Sequence, residues 1–180
     1  MVGIAESGLT GSVHSILAGV VMRADLIIDG LTWDMVSIQG TDASDTIIRM
    51  IRDLSRSDLN GILLRGTIIA GYNIVDLTSL HETFQLPVIS VTNEPQENLR
   101  EHLIHTFPST WERRWEVAQR NGTPQSVSLE TGATVFLQWK GSDKKIVKGV
   151  IRRLTKFGGI PEPLRVARLF ARALVRNPIS

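Results

Sequence analysis

Cysteine does not occur anywhere in this chain of 180 residues, which removes disulfide frameworks, thiolate zinc sites and cysteine nucleophiles at once. No run of about 18 uncharged apolar residues is present either, so no transmembrane helix is expected. The N-terminus lacks a basic stretch followed by an apolar core and a small-residue cleavage site, so no secretory signal is expected. There is no GxxxxGK loop ending in Ser or Thr, no GxGxxG after a strand and no GxSxG elbow, so a nucleotide cofactor and serine hydrolysis lose their usual support. What is present, 42% hydrophobic and 21% charged residues with seven Pro, describes a soluble globular chain long enough for one substantial core. The expectation is a single domain spanning 1–180 with a cytoplasmic home.

Lysine is absent from the first half. Residues 1–90 carry 5 Arg against 10 acids, a net −5, whereas residues 91–180 carry 15 basic against 8 acidic residues, a net +7. The extreme is 140–176, with 5 Lys and 6 Arg against Asp143 and Glu162, a net +9. A block of that kind is the electrostatic footprint of a phosphate-backbone binder, and also what two helices with solvated basic faces would give.

The hydrophobic pattern sets the order of elements. "VGIAES", "HSILAGVVMR" and "LIIDGLTWDMVSI" read as three strands in an antiparallel meander. "TDASDTIIRMIRDLSRS" then puts Ile47, Ile48, Ile51 and Leu54 on one face of an amphipathic helix, with Asp42 or Ser44 to cap it. "GILLRGTII" reads as one buried strand, "VDLTSLHETF" as a short helix and "LPVISVT" as another strand. Helices are expected in "PQENLREHLIHTF" and "STWERRWEVAQR", and two short strands around Thr131-Gly132. Helices over 142–157 and 161–176 finish the chain. A meander followed by helix-linked strands is the order of a ribonuclease-H-like mixed α/β sheet with helices on both faces.

In an open α/β sheet the crevice lies beyond the carboxyl ends of the parallel strands, where Ala5 to Ser7, Arg65 to Thr67 and Thr92 to Glu94 should converge. Two-metal phosphodiester hydrolysis there needs two or three carboxylates, because hard cations about 3.5–4 Å apart want oxygen ligands with negative charge between them. The chain offers Glu6 and Asp42 as candidate metal ligands and catalytic residues, but Arg65 where another acid would help. A guanidinium cannot ligate a cation and repels it.

In the final helix Arg165, Arg168, Arg172 and Arg176 fall, at about 100° per residue, within an arc of about 80°. This stripe reads as a phosphate-contacting rail, as a solvated face, or as partners for acids of the N-terminal half. With Arg65, Arg152, Arg153 and Lys156 it supplies the candidate nucleic-acid contacts. Glu162, between two prolines at the helix start, is better explained by capping than by catalysis. His102 and His105 at i, i+3 lack a third metal ligand, and Trp111 and Trp115 at i, i+4 read as packing before base stacking.

At "GTDASDTIIRMI", "LLRGTIIAGYNIVDL", "LPVISV" and "GGIPEPLRVARLFARALVR" the sequence resembles the archaeal endonuclease-dU family, which is similar to endonuclease V. Its specific parts are the run from Ala70 to Asp76 and the run from Pro161 to Arg165. The resemblance implies a ribonuclease-H-like fold and cleavage of DNA near a deaminated base, with deoxyuridine as the lesion and Mg²⁺ or Mn²⁺ as cofactor. Gly40, Asp42, Asn73, Asp76 and Arg165 match the family pattern. Ala5 departs from an acid pair at the end of the first strand, and Arg65 stands where many relatives have Asp, although basic residues also occur there in the family. Thr92 and Asn93 stand where a basic residue is common, and Arg168 where a histidine is frequent. Those departures bear on metal binding and proton transfer. They set a repair endonuclease beside a second expectation, a nucleic-acid- or partner-binding protein on the same scaffold with impaired catalysis.

Overall fold

The computed structural model describes residues 1–8, 11–94 and 97–176. Three strands open it: β1 (Val2–Gly8), β2 (His14–Met22) and β3 (Ile28–Ser37). They form the expected antiparallel meander, with Ile4 opposite Gly19 and Leu17 opposite Asp34. α1 (Ala43–Asp53) buries Ile47, Met50 and Ile51, with Ile48 and Leu54 packed partly buried beside them. β4 (Ile62–Leu64) and β7 (Val88–Thr92) lie parallel to β1, with α2 (Leu77–Phe84) between them in the chain. α3 (Leu99–Thr106) and α4 (Trp111–Asn121) follow, then the hairpin of β8 (Gln125–Ser128) and β9 (Thr134–Lys140), then α5 (Lys144–Leu154) and α6 (Glu162–Arg176). The expected start of α3 at Pro95 falls outside the described residues.

The sheet has seven strands in the order β3-β2-β1-β4-β7-β9-β8, the mixed ribonuclease-H-like arrangement that the element order implied. Side chains alternate across it. Val2 and Ile4 face α1 and α2 in one core with Ile47, Met50 and Leu77. Ala5 faces the other way, against Ala167 of α6, and Leu63 and Ile89 meet Val147 and Ile151 of α5 on that same side. Helices therefore cover both faces, and β2, buried from Ser15 onward, has no solvent side. Among the described residues no helix is long and apolar enough to cross a membrane.

Two expectations are corrected. "GILLRGTII" is not one strand: β4 stops at Leu64, Gly66 adopts φ +83, and Ile68–Ile69 (β5) turns back to pair with Asn73–Ile74 (β6) in a separate two-stranded ribbon. A left-handed residue cannot continue a strand, and glycine takes that conformation at no steric cost. Nor does Asp42 or Ser44 cap α1. Asp42 occupies the N-cap position, yet its carboxylate turns back to Ser37 and Asn73, and the Ser44 hydroxyl accepts from the Asp76 N–H. The free Ala43 N–H at the helix start donates instead to Asn73 Oδ1, 3.1 Å away.

Candidate nucleic-acid interface

The carboxyl ends of β1, β4 and β7 define one end of the sheet, and β3, running parallel to β1, delivers Ser37 to that same end. Glu6 follows Val2 and Ile4 in the alternation, so it faces the α1 side. There its carboxylate accepts a short hydrogen bond from the hydroxyl of Ser15, a residue fully buried in β2. Ser15 pairs with Val36, one residue before Ser37. Glu6 and Asp42 therefore sit at the same end of the sheet and on the same side, each held by partners of its own.

Asp42 is the acceptor of a tight network. Its carboxylate takes the Ser37 N–H at 3.2 Å, the Ser37 hydroxyl at 2.8 Å and the Asn73 amide at 2.6 Å. Burial opposes its ionisation, but these donors outweigh that and hold its carboxyl below the usual carboxylate range. Asn73 is fully buried and uses its whole amide, donating also to the Ser37 carbonyl while accepting from Ala43. It reaches this loop because the turn between β5 and β6 runs through three consecutive left-handed residues, Ala70, Gly71 and Tyr72. Two residues beyond that ribbon, Asp76 caps α2 by accepting from Thr78 and Ser79 and pairs with Arg120. Much of the run from Ala70 to Asp76 thus holds α1 and α2 in place.

On the other side of the sheet, the Arg65 N–H donates to the Ile4 carbonyl at 3.1 Å, which sets Arg65 beside Ala5 at the end of the parallel strands. Ala5 is 2% exposed among Val20, Met22 and Ala167. Arg168 comes one residue past Ala167 and Arg172 one turn further along α6, both near enough for their charges to act on Arg65. Burial first, and then the charges of Arg168 and Arg172, push the Arg65 pKa down. None of these three guanidiniums has a carboxylate in an ion pair among the described residues, unlike Arg49, Arg56, Arg120 and Arg165. A cluster of like charges without counter-ions has an unfilled demand for an anion.

The remaining candidates are distributed elsewhere. Arg165 forms a two-nitrogen contact with the buried Glu162 at 2.6 and 2.8 Å, so its guanidinium closes the start of α6. Those bonds and the Glu162 charge raise its pKa. Arg152, Arg153 and Lys156 are exposed at the end of α5. Arg153 borders a cleft of about 260 Å³ with Met1, Met22 and Pro87, all at the opposite end of the strands from Arg65. Trp111 and Trp115 pack with Ile74, Leu99 and Leu103, and the Arg100 guanidinium lies 4.9 Å from the Trp111 ring centroid. His102 stacks on Tyr72.

Sequence reasoning missed Ser15, Asn73 and Arg114 as site-building residues. Arg114, 8% exposed, lies over the Phe107 ring and donates to the Gln39 and Gly40 carbonyls, pinning the loop that carries Asp42. Asn73 stood inside a matched motif and was the one with a legible signal.

A divalent cation is poorly served by this donor set. Among the described residues no group of three or more His, Asp or Glu side chains is arranged to hold a metal ion. Ala5 offers no side-chain oxygen, Asp42 is committed to Ser37 and Asn73, and Arg65 brings positive charge to the end of the fourth strand. The side chains present do not fit a two-metal centre.

Residues 1–175 match the family described as Endonuclease dU. A UPF0215 protein of Pyrobaculum calidifontis is 32% identical over 93% of this chain and 92% of its own length, and one from Thermococcus kodakarensis is 35% identical over 89% and 82%. Among solved structures, a protein of unknown function from Archaeoglobus fulgidus superposes with a TM-score of 0.81 at 23% identity, covering 97% of this chain and 96% of that one. Ciona intestinalis endonuclease V, in complex with a 24mer DNA containing an inosine followed by a ribo-adenosine, superposes at 0.65 with 11% identity over 97% and 85%. Likeness at those identities speaks to the fold. On the sequence match across nearly its whole length, this chain belongs to the endonuclease dU family.

Proposed function

We propose that this protein binds DNA at the carboxyl end of its sheet, on an endonuclease scaffold whose catalytic acids are depleted, within a cytoplasmic setting. The observation that carries the reading is the placing of Arg65 beside Ala5, and of Arg168 and Arg172 on the helix packed over Ala5, as cations without carboxylate partners among the described residues, at the strand ends where an α/β sheet places its ligand. Exposed Arg152 and Arg153 near the end of α5, and Lys156 two residues beyond it, add positive surface elsewhere on the same helical layer and would add sequence-independent attraction. Family membership supports a deaminated, deoxyuridine-type base as the preferred target.

Membership in a family described as an endonuclease favours a second reading, cleavage of such DNA with Mg²⁺ or Mn²⁺ held by Glu6 and Asp42. Apolar Ala5, cationic Arg65 and the hydrogen-bonded commitment of Asp42 weigh against it. One experiment separates the two. A uracil-containing duplex is incubated with the protein in Mg²⁺ and in Mn²⁺, while affinity is followed by fluorescence anisotropy across a salt series. The DNA-binding reading expects affinity that falls with salt, by about 0.9 in logarithmic slope for each phosphate neutralised, and no strand scission. Scission that disappears in Glu6→Gln would establish the second reading. Affinity indifferent to salt would remove the first.

A further inference from the structure

We infer that Arg65, Arg168 and Arg172 together form a metal-independent site for a phosphate group, in which guanidinium donors provide the positive charge. Strand register and helix packing place the three. Arg65 continues β4 on the face turned to α6, tied through its N–H to the Ile4 carbonyl next to Ala5. Ala5 packs on Ala167, so Arg168 stands at the same level and Arg172 one turn above. α6 is locked there, since Gly3 leaves no room beneath it: a Cβ at Gly3 would lie 2.6 Å from the Pro163 Cβ. The cluster is therefore pre-positioned by a helix and a strand.

The chemistry follows from what each side chain can do. Guanidinium is planar, donates in a fork that matches phosphate oxygens and stays charged. Holding three of them together costs electrostatic repulsion that a bound anion relieves, so the phosphate should stabilise the fold as it binds. With three positive charges the site favours the dianion of a phosphate monoester over the single charge of an internal phosphodiester. A terminal phosphate of a strand and a backbone phosphate share the recognised group, and they are separated by experiment. For a polymer ligand the inference rests on the DNA-binding reading above, whereas the phosphate site itself can be measured without DNA.

The test uses the intact protein in EDTA, titrated with inorganic phosphate by calorimetry and followed by thermal melting. The expected result is saturable binding and a rise in Tm that grows with phosphate concentration. Both should be weakened at least tenfold in Arg168→Gln and in Arg172→Gln. Arg52→Gln, an exposed change on α1, should match the parent. Because removing one of three repelling cations leaves no carboxylate partner unpaired among the described residues, the two variants should melt at or above the parent temperature without phosphate, which shows they are folded. Oligonucleotides with and without a 5′-phosphate then compete: the phosphorylated end should displace inorganic phosphate better. Equal competition would overturn the monoester preference. Phosphate binding that needs Mg²⁺, or that persists unchanged in both variants, would overturn the site. Phosphate binding without any affinity for duplex DNA would leave the site standing and remove the DNA-binding reading.

Discussion

At Asp42 a carboxylate placed where a metal ligand would be wanted is occupied with structure. Its Ser37 and Asn73 donors keep its carboxyl ionised to lower pH than in the unfolded chain. The stabilisation is therefore complete above the unfolded value, about 4, and lost as pH falls through the lower folded value. Asp42→Ala should cost about 1–3 kcal/mol, since it leaves the Asn73 amide short of an acceptor. Urea midpoints of parent and variant should differ clearly at pH 7 and approach each other as pH falls through the lowered folded-state value. A gap that does not change with pH would place the loss in packing instead. Ala5 makes the converse point. Ala5→Asp restores an acid of the family pattern but inserts it among Val20, Met22 and Ala167, and should destabilise by more than about 2 kcal/mol in the same assay. Metal affinity gained without that loss would show the position to be more accessible than its burial implies.

Among the elements, α6 depends most on close approach. Gly3→Ala would drive a methyl group to 2.6 Å from the Pro163 Cβ and 2.8 Å from its carbonyl carbon. Backbone and a proline ring give little, so a loss of about 1–3 kcal/mol is expected, read as a lower urea midpoint at unchanged slope. An unaffected midpoint would mean α6 can shift away from β1. The same elements show what a sequence discloses. Alternation and helical period were enough for the meander, for α1 and for the arginine stripe of α6, because each is a local repeat. The ribbon of β5 and β6 was hidden, since Ile68, Ile69 and Ile74 look like ordinary buried strand and only the backbone shows left-handed Ala70 and Tyr72. The cap of α1 was hidden too, because Asn73 comes from 30 residues away along the chain. The stripe itself proved divided: Arg165 closes on Glu162, while the charges of Arg168 and Arg172 act on Arg65.

For the whole molecule, the uneven charge along the chain becomes a division of surfaces. The acidic first half contributes α1, where Arg49 meets Asp34, and the nearby bridges of Arg56 to Asp29 and Asp58, so much of its charge is internally paired. The basic second half contributes α5 and α6 on the opposite face, largely without such partners among the described residues. That arrangement, with the depleted acids, leads to the central claim that polyanion binding here needs no divalent cation. The most direct measurement is the affinity for a uracil-containing duplex in EDTA and again in millimolar Mg²⁺, at fixed ionic strength. Dissociation constants within about twofold of each other are expected, with a salt slope smaller by about one in Arg168→Gln. Binding that collapses in EDTA and returns with Mg²⁺ would contradict it.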